Sequence, residues 1–414
     1  MVAKKLRIWL ITGSSDPAIL MYLREKFSLY EKQNNIKIQL ELITWERIWK
    51  ALIEAFKNNT APDIVQLGTS WVRTFAHMGY LDQTPDYVKS RPSINEGINR
   101  ICVKDGVRYA VPWIVDTIIL AGRKDYMSLL GINKEEVRDW KGLMDVAKRI
   151  KKMKEDDPEI PKAVAVGLKL ERDTIQRFFS ILWARGWDFP DLDRVPQRII
   201  MDPVVLDTIK YFATLKRICD RPEDINKHPY QVNDDFYRHG LSVFYIGSWY
   251  GIINRINRME QDVDDYCVLP FPSSRDKTCS YGGGTVLTVS SKSRLKEEAW
   301  NLVEYMISDD FMDGWAVNAV HAPAFESKFW QQRYTDERVR LMYEQTVNSK
   351  VYPLHPAWLA IENELVKGIG YTIFRFLNKE TNGGISTEDY SILAETDERI
   401  RRILEINQEV RYFG

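Results

Sequence analysis

The sequence predicts an α/β protein of two domains, each a mainly parallel sheet flanked by helices. Three observations predict it. The first third alternates strand-like and helix-like runs. The 414 residues exceed what one compact core holds. A second set of extended segments, at 163–168, 241–246 and 266–271, is followed by a glycine-initiated strand from Tyr281 to Val289.

The first strand, Leu6 to Ile11, leads to Asp16-Pro17, a cap followed by a residue suited to the first helical position. Leu20, Leu23, Phe27 and Tyr30 then recur at helical spacing. A strand at 37–43 ends at Thr44, a capping residue, and Ile48, Leu52 and Phe56 form the next apolar stripe. A third strand at 63–67 turns through Gly68-Thr69-Ser70 into a short helix closed by Gly79. Such spacing implies right-handed crossovers, and ligands of such sheets bind outside the carboxyl ends of the strands. Segments 109–113 and 117–122 read as two extended pieces separated by Ile114-Val115-Asp116, a stretch able to carry the chain between domains. Asp173 to Gln176 reads as a capping box, Asp202-Pro203 opens a helix whose inner face is Val205, Ile209, Phe212 and Leu215, and Ser386 caps a long terminal helix.

Fifty-eight basic residues balance fifty-eight acidic ones with no basic block, which argues against a nucleic-acid partner. Apolar runs stay well short of the roughly 20 residues that span a bilayer. Cys102, Cys219, Cys267 and Cys279 lie far apart and read as buried free thiols. The five histidines lack metal-ligand spacing, and no P-loop, GxSxG, HExxH or strand-borne GxGxxG occurs. No catalytic group, metal or cofactor is expected. The opening residues run straight into the first strand with no apolar leader, so the chain is expected to be intracellular or to have lost a signal segment.

Thirteen tryptophans remain, and Trp45, Trp71, Trp113 and Trp249 stand just past strand-like runs beside small polar residues. That placement predicts a wet groove with aromatic faces, the chemistry a pyranose needs: indole for its CH face, hydrogen-bonding groups for its hydroxyls. Covering about 80 Å² of ring face contributes roughly 2 kcal/mol per stack. Two or three stacks with an ionised acceptor reach about micromolar affinity.

Several segments then carry a resemblance: Lys5 to Trp9, Thr60 to Val65 followed by Gly79 to Asp82, Arg108 to Trp113, Asp139-Trp140, Gly240 to Trp249 and Gly282-Gly283-Gly284. In this order and spacing the chain resembles, over nearly its whole length, the extracellular solute-binding proteins of ABC importers, in the branch that includes maltose-binding protein. The resemblance implies a two-lobed periplasmic-binding-protein fold of type II, with residues 1–115 plus 273–322 in one lobe and 116–272 plus 323–414 in the other. It implies a monomer that closes on an oligosaccharide and delivers it to permease subunits. It also implies an extracellular location, as a cell-surface lipoprotein or in a periplasm, with the signal segment removed. Carried over by position, the sugar-contacting residues are Ser14, Ser15, Trp45, Glu46, Thr69, Ser70, Trp71, Trp113, Asp116 and Gly283. On the second lobe they are Gln176, Phe179, Trp183, Trp187, Trp249 and Trp358. Trp9, Trp49, Trp140, Trp300 and Trp330 read as packing residues. Serines at 14 and 15 replace charged residues of maltose-binding protein, so maltose itself is not carried over. A carbohydrate-active enzyme with Asp116 and Glu46 as its acids is the alternative, and a receptor for a non-sugar polar solute the third reading.

Overall fold

A computed structural model of the chain describes residues 4–12, 17–88, 91–220, 227–258, 262–273, 279–318, 321–378 and 385–413. Its strands in chain order are β1 (Lys4–Thr12), β2 (Ile36–Thr44), β3 (Ile64–Gly68), β4 (Val103–Lys104), β5 (Val107–Arg108), β6 (Val111–Arg123), β7 (Lys162–Val166), β8 (Ser242–Ser248), β9 (Tyr266–Leu269), β10 (Gly282–Val289) and β11 (Ala322–Pro323). The chain divides into two compact units, Met1–Asp116 with Gly283–Thr335 and Thr117–Gly282 with Asp336–Gly414. The later crossings thus fall beyond the 273 and 322 anticipated from sequence. Residues up to 282 stay with the second unit because Tyr281 bridges Lys350 there. Residues past 322 stay with the first because Ala324 donates its N–H to the Trp113 carbonyl and Trp330 donates its indole N–H to Pro323.

In the first unit β2, β1 and β3 are parallel, with Ile8 paired to Leu40 and to Ile64. β10 then runs antiparallel to β3, Val286 facing Leu67. The buried side chain of Gln66 ties three strands together: its Oε1 accepts from the Ile11 N–H at 2.7 Å and its Nε2 donates to Thr285 Oγ1 at 2.8 Å. Helices Pro17–Asn34 and Trp45–Lys57 cover this sheet with Leu23, Phe27 and Tyr30 and with Ile48, Leu52 and Phe56, the spacings expected of amphipathic helices. Asp16 lies outside the described residues, and Thr44 stands at the cap position without a side-chain capping bond. Gly284 has φ of +133°, and a Cβ there would stand 2.0 Å from the Ile114 carbonyl oxygen, so only glycine fits.

In the second unit β7 and β8 are parallel, Val164 beside Phe244, while β8 and β9 both run antiparallel to β6. This sheet is mixed rather than mainly parallel. Each unit takes in a strand that enters from the other, and its direction is set by that entry rather than by a local crossover. β6 is continuous through Asp116 where the sequence suggested two pieces. The polar residue interrupts the apolar pattern without interrupting the backbone ladder. Helix Pro203–Cys219 buries Val205, Ile209, Phe212 and Leu215 as expected, with Asp202 accepting from the Val204 N–H. The terminal helix Thr387–Phe413 starts at Ser386, whose hydroxyl accepts from the Asp389 N–H at 3.3 Å.

Burial keeps the Cys102 and Cys219 thiols protonated, each pushed up to about 12, and Cys267 to about 11. All four cysteines are free. No helix among the described residues is long and apolar enough to cross a membrane.

Candidate ligand-binding site

Ser14 and Ser15 lie outside the described residues. In the first unit Trp45 opens its helix and is 37% exposed. Its ring meets Trp71 edge-on at 5.7 Å, and Trp49 meets Trp71 from another side at 5.5 Å. Thr69, Ser70 and Trp71 form one tight turn at the exit of β3, with Thr69 and Trp71 buried and Ser70 half-buried, while Glu46 stands exposed in the first turn of the Trp45 helix. Trp113 stacks on Trp315 at 4.9 Å, and Trp315 lies over His321 at 6.3 Å. Asp116 is half-buried at the end of this part of the chain, and Gly283 is buried at the start of β10.

In the second unit the helix Arg172–Ala184 begins two residues earlier than its apparent capping box. Glu171 holds the cap position with extended backbone, and Asp173 lies in the first turn. Thr174 Oγ1 accepts from the Lys169 N–H, which fixes this entry. The helix projects Phe179 and Trp183 one turn apart, with Gln176 half-buried a turn before Phe179. Its Ser180 Oγ accepts from the Tyr281 N–H at 2.9 Å. Tyr281 in turn bridges Lys350 in parallel fashion, with the Gly282 N–H donated to the Lys350 carbonyl. Tyr352 is thereby laid against Tyr281, ring centroids 4.8 Å apart. A turn in which the Trp358 N–H donates to the His355 carbonyl then delivers Trp358 onto Tyr352 at 4.6 Å.

Tyr352 is the hub of this nest, touching Phe179, Trp183, Tyr281 and Trp358. Phe189 closes one side against Trp187 at 4.8 Å and Trp358 at 5.3 Å. The structure therefore brings together Phe179, Trp183, Trp187 and Trp358. Trp249 stands on another element, at the exit of β8, where its carbonyl accepts from the Ile252 N–H. Sequence reasoning missed Tyr281, Phe189 and Tyr352. It also missed a carboxylate, Glu362, one turn beyond Trp358 and 1% exposed.

Of the seven tryptophans carried over as sugar contacts, only Trp45 is exposed; Trp187 is 8% exposed, and Trp71, Trp113, Trp183, Trp249 and Trp358 are at most 2% exposed. Exposure thus does not distinguish them from packing residues such as Trp140, Trp300 and Trp330. Hydrogen bonding sets Trp300 and Trp330 apart, though not Trp140, whose indole N–H is likewise buried with no hydrogen-bond partner among the described residues. Trp300 and Trp330 each donate their indole N–H, to Asp82 and to Pro323. In the nest, Trp183 Nε1, Trp358 Nε1, the Tyr352 hydroxyl and Glu362 Oε1 are all buried with no hydrogen-bond partner among the described residues. Each such group costs roughly 1–3 kcal/mol, so a cluster of them needs an explanation. Glu362 Oε2 lies 3.1 Å from Arg172 Nε, yet burial outweighs that attraction and pushes its carboxyl up to about 7.

A cavity of about 770 Å³ lies elsewhere in the second unit, lined by Gln197, Arg198, Tyr390, Asp397, Arg401 and neighbours. Its Asp397 is committed to the backbone N–H groups of Ile199 and Ile200, at 2.8 and 2.6 Å, and it offers no paired rings. The nest, by contrast, combines closely packed rings with buried orphan polar groups. Among the described residues no group of three or more metal-ligating side chains converges.

Residues 27–327 match the family described as bacterial extracellular solute-binding protein. The chain belongs to that family. A solute-binding protein of this kind from Streptomyces coelicolor, named as a diacetylchitobiose-binding protein, is 22% identical over 367 residues, 87% of this chain and 82% of that one. An ABC-transporter solute-binding protein of Thermotoga lettingae, solved with α-D-tagatose, superposes with a TM-score of 0.80 at 20% identity, covering 97% of this chain and 100% of that chain. A substrate-binding protein of Listeria monocytogenes, solved with cycloalternan, gives 0.77 at 17% identity, covering 97% and 99%. The two-lobed fold expected of this solute-binding protein is the one these structures share.

Proposed function

We propose that the chain is the substrate-binding component of an ABC importer that captures an oligosaccharide and hands it to the membrane permease, without turning it over. The observation that carries this reading is the Tyr352 nest: stacked rings for the CH faces of a sugar, with buried orphan donors and an acceptor beside them. A pyranose satisfies both at once, which neither a purely apolar nor a purely ionic solute does. Membership of the family supports the transport role, and the names of its relatives, which bind diacetylchitobiose, tagatose and cycloalternan, support a carbohydrate.

In this reading the two compact units are the lobes, and the protein acts as a monomer outside the cytoplasm, as a cell-surface lipoprotein or free in a periplasm. Phe179, Trp183, Trp187 and Trp358 form the second-lobe contacts, and Gln176 and Trp249 are the other second-lobe candidates. Ser14, Ser15, Trp45, Glu46, Thr69, Ser70, Trp71, Trp113, Asp116 and Gly283 are the first-lobe candidates. Thermal-shift screening against linkage-defined oligosaccharides tests it, since a ligand of the folded state alone raises apparent stability. At least one oligosaccharide should raise Tm by several degrees and be recovered intact. Hydrolysis at catalytic rates would replace the receptor with a carbohydrate-active enzyme.

A further inference from the structure

Glu362 follows Trp358 by one turn on the helix Trp358–Leu365, so the two share a buried helix face. Oε2 lies 3.1 Å from Arg172 Nε as an ion pair, but neither carboxylate oxygen has a hydrogen-bond partner among the described residues. Burying an acceptor in this way is costly unless something brings it a donor. The charged groups acting on it are Arg172 and Asp173, both at the start of helix Arg172–Ala184, and its charge in turn acts on the Tyr352 hydroxyl in the preceding loop. Neighbouring cations are committed elsewhere: Lys367, from the turn that follows, and Arg399, from the terminal helix packed alongside, both bond Glu364.

We propose that Glu362 is a specificity-determining acceptor for a neutral polyhydroxylated sugar, and that it takes the ligand in its ionised form, so that binding expels a proton from its carboxyl to solvent. This rests on the carbohydrate reading of the nest. A sugar hydroxyl donated to Oε1 stabilises the carboxylate over the acid, and the proton leaves because the bound form no longer holds it. Near neutrality the free protein is divided between the two forms, which makes the release measurable. An acidic solute would not behave so, because it would be repelled by the ionised carboxylate.

The test is calorimetric titration of maltotriose and of diacetylchitobiose in buffers of different ionisation enthalpy, between pH 6 and 8.5. With the wild-type protein, release of about half a proton per ligand is expected at pH 7, more at pH 6 and almost none at pH 8.5. The dissociation constant should rise roughly tenfold from pH 8 to pH 6. Glu362→Gln should bind more weakly, with no proton release and a flat pH dependence. Sugar binding by the wild type with no proton exchange, or with proton uptake, overturns the role of Glu362 while leaving the receptor intact. Binding of neither sugar, nor of any in the oligosaccharide panel, overturns the carbohydrate reading and this proposal with it. The wild-type measurement stands whether or not the variant folds.

Discussion

The ring centroids of Tyr352 and Trp358 lie 4.6 Å apart, and the polar atom of each, a hydroxyl and an indole N–H, is buried with no hydrogen-bond partner among the described residues. Two orphan groups on touching rings, beside a third on Trp183, are the observation on which the proposed sugar site rests.

Tyr352→Phe removes one orphan and keeps the ring. The ligand-free protein should be as stable as the wild type or slightly more so, because no bond is lost and a buried unsatisfied group disappears. Sugar affinity should fall about tenfold, the worth of roughly 1.4 kcal/mol. Urea unfolding and calorimetry on the same samples check both halves; a destabilised protein with unchanged affinity would make the hydroxyl structural.

Glu362 also predicts a pH dependence of stability. Burial raises its carboxyl from the ordinary 4.5 to about 7, so between those values the folded protein holds more protons than the unfolded chain. Its contribution is therefore fully present below about pH 4.5 and lost as pH rises through about 7. The difference in unfolding free energy between Glu362→Gln and wild type should grow in favour of the variant over that window, by up to about 3 kcal/mol. Denaturant melts at pH 5, 6, 7 and 8 read it directly, and parallel curves for the two proteins would refute it.

Gly284→Ala should destabilise the protein by more than about 1 kcal/mol, because its φ of +133° and the Ile114 carbonyl 2.0 Å from the added Cβ both oppose any side chain. Gly79→Ala, with φ of +70° but open space around it, should cost less. A thermal melt of each ranks them; equal effects would mean that the close approach of β10 to β6 gives way freely.

Asp397→Ala should cost about 2 kcal/mol or more, since it strips the acceptor from the Ile199 and Ile200 N–H groups in a buried loop. Asp397→Asn retains the accepting oxygen and should cost less. Stability measured by urea denaturation checks the order, and sugar affinity should stay put in both.

The strands of the first unit are legible because each is a short apolar run bounded by turn residues, and Ile48, Leu52 and Phe56 mark their helix by period alone. Other features are hidden for physical reasons. Asp116 breaks the apolar pattern of β6 without breaking its backbone pairing, and Glu171 outranks Asp173 as a cap because Thr174 fixes the preceding turn. Antiparallel pairing of β10 and of β6 follows from where the chain re-enters each unit, which no local period encodes. In the site, helical spacing exposes the Phe179 and Trp183 pair. Tyr352 sits in a proline-rich loop without periodicity, and Glu362, beside Asn363 and Glu364, reads as part of a solvated face. Only folding brings residues 172, 281, 352 and 362 into one place, and what sets that place apart is several orphan polar groups together, on Trp183, Tyr352, Trp358 and Glu362, since single orphans such as the Trp140 indole occur in the core as well.

The central claim is that the Tyr352 nest is where the sugar binds. Calorimetric titration of the tightest-binding oligosaccharide into wild type and into the double variant Tyr352→Phe/Trp358→Phe, which removes both polar atoms and trims the indole to a phenyl ring, tests it most directly, with unfolding curves confirming that both are folded. The account predicts micromolar binding by the wild type and at least about thirtyfold weaker binding by the variant, from loss of two polar contacts. The same dissociation constant for both folded proteins would contradict it and send the ligand elsewhere.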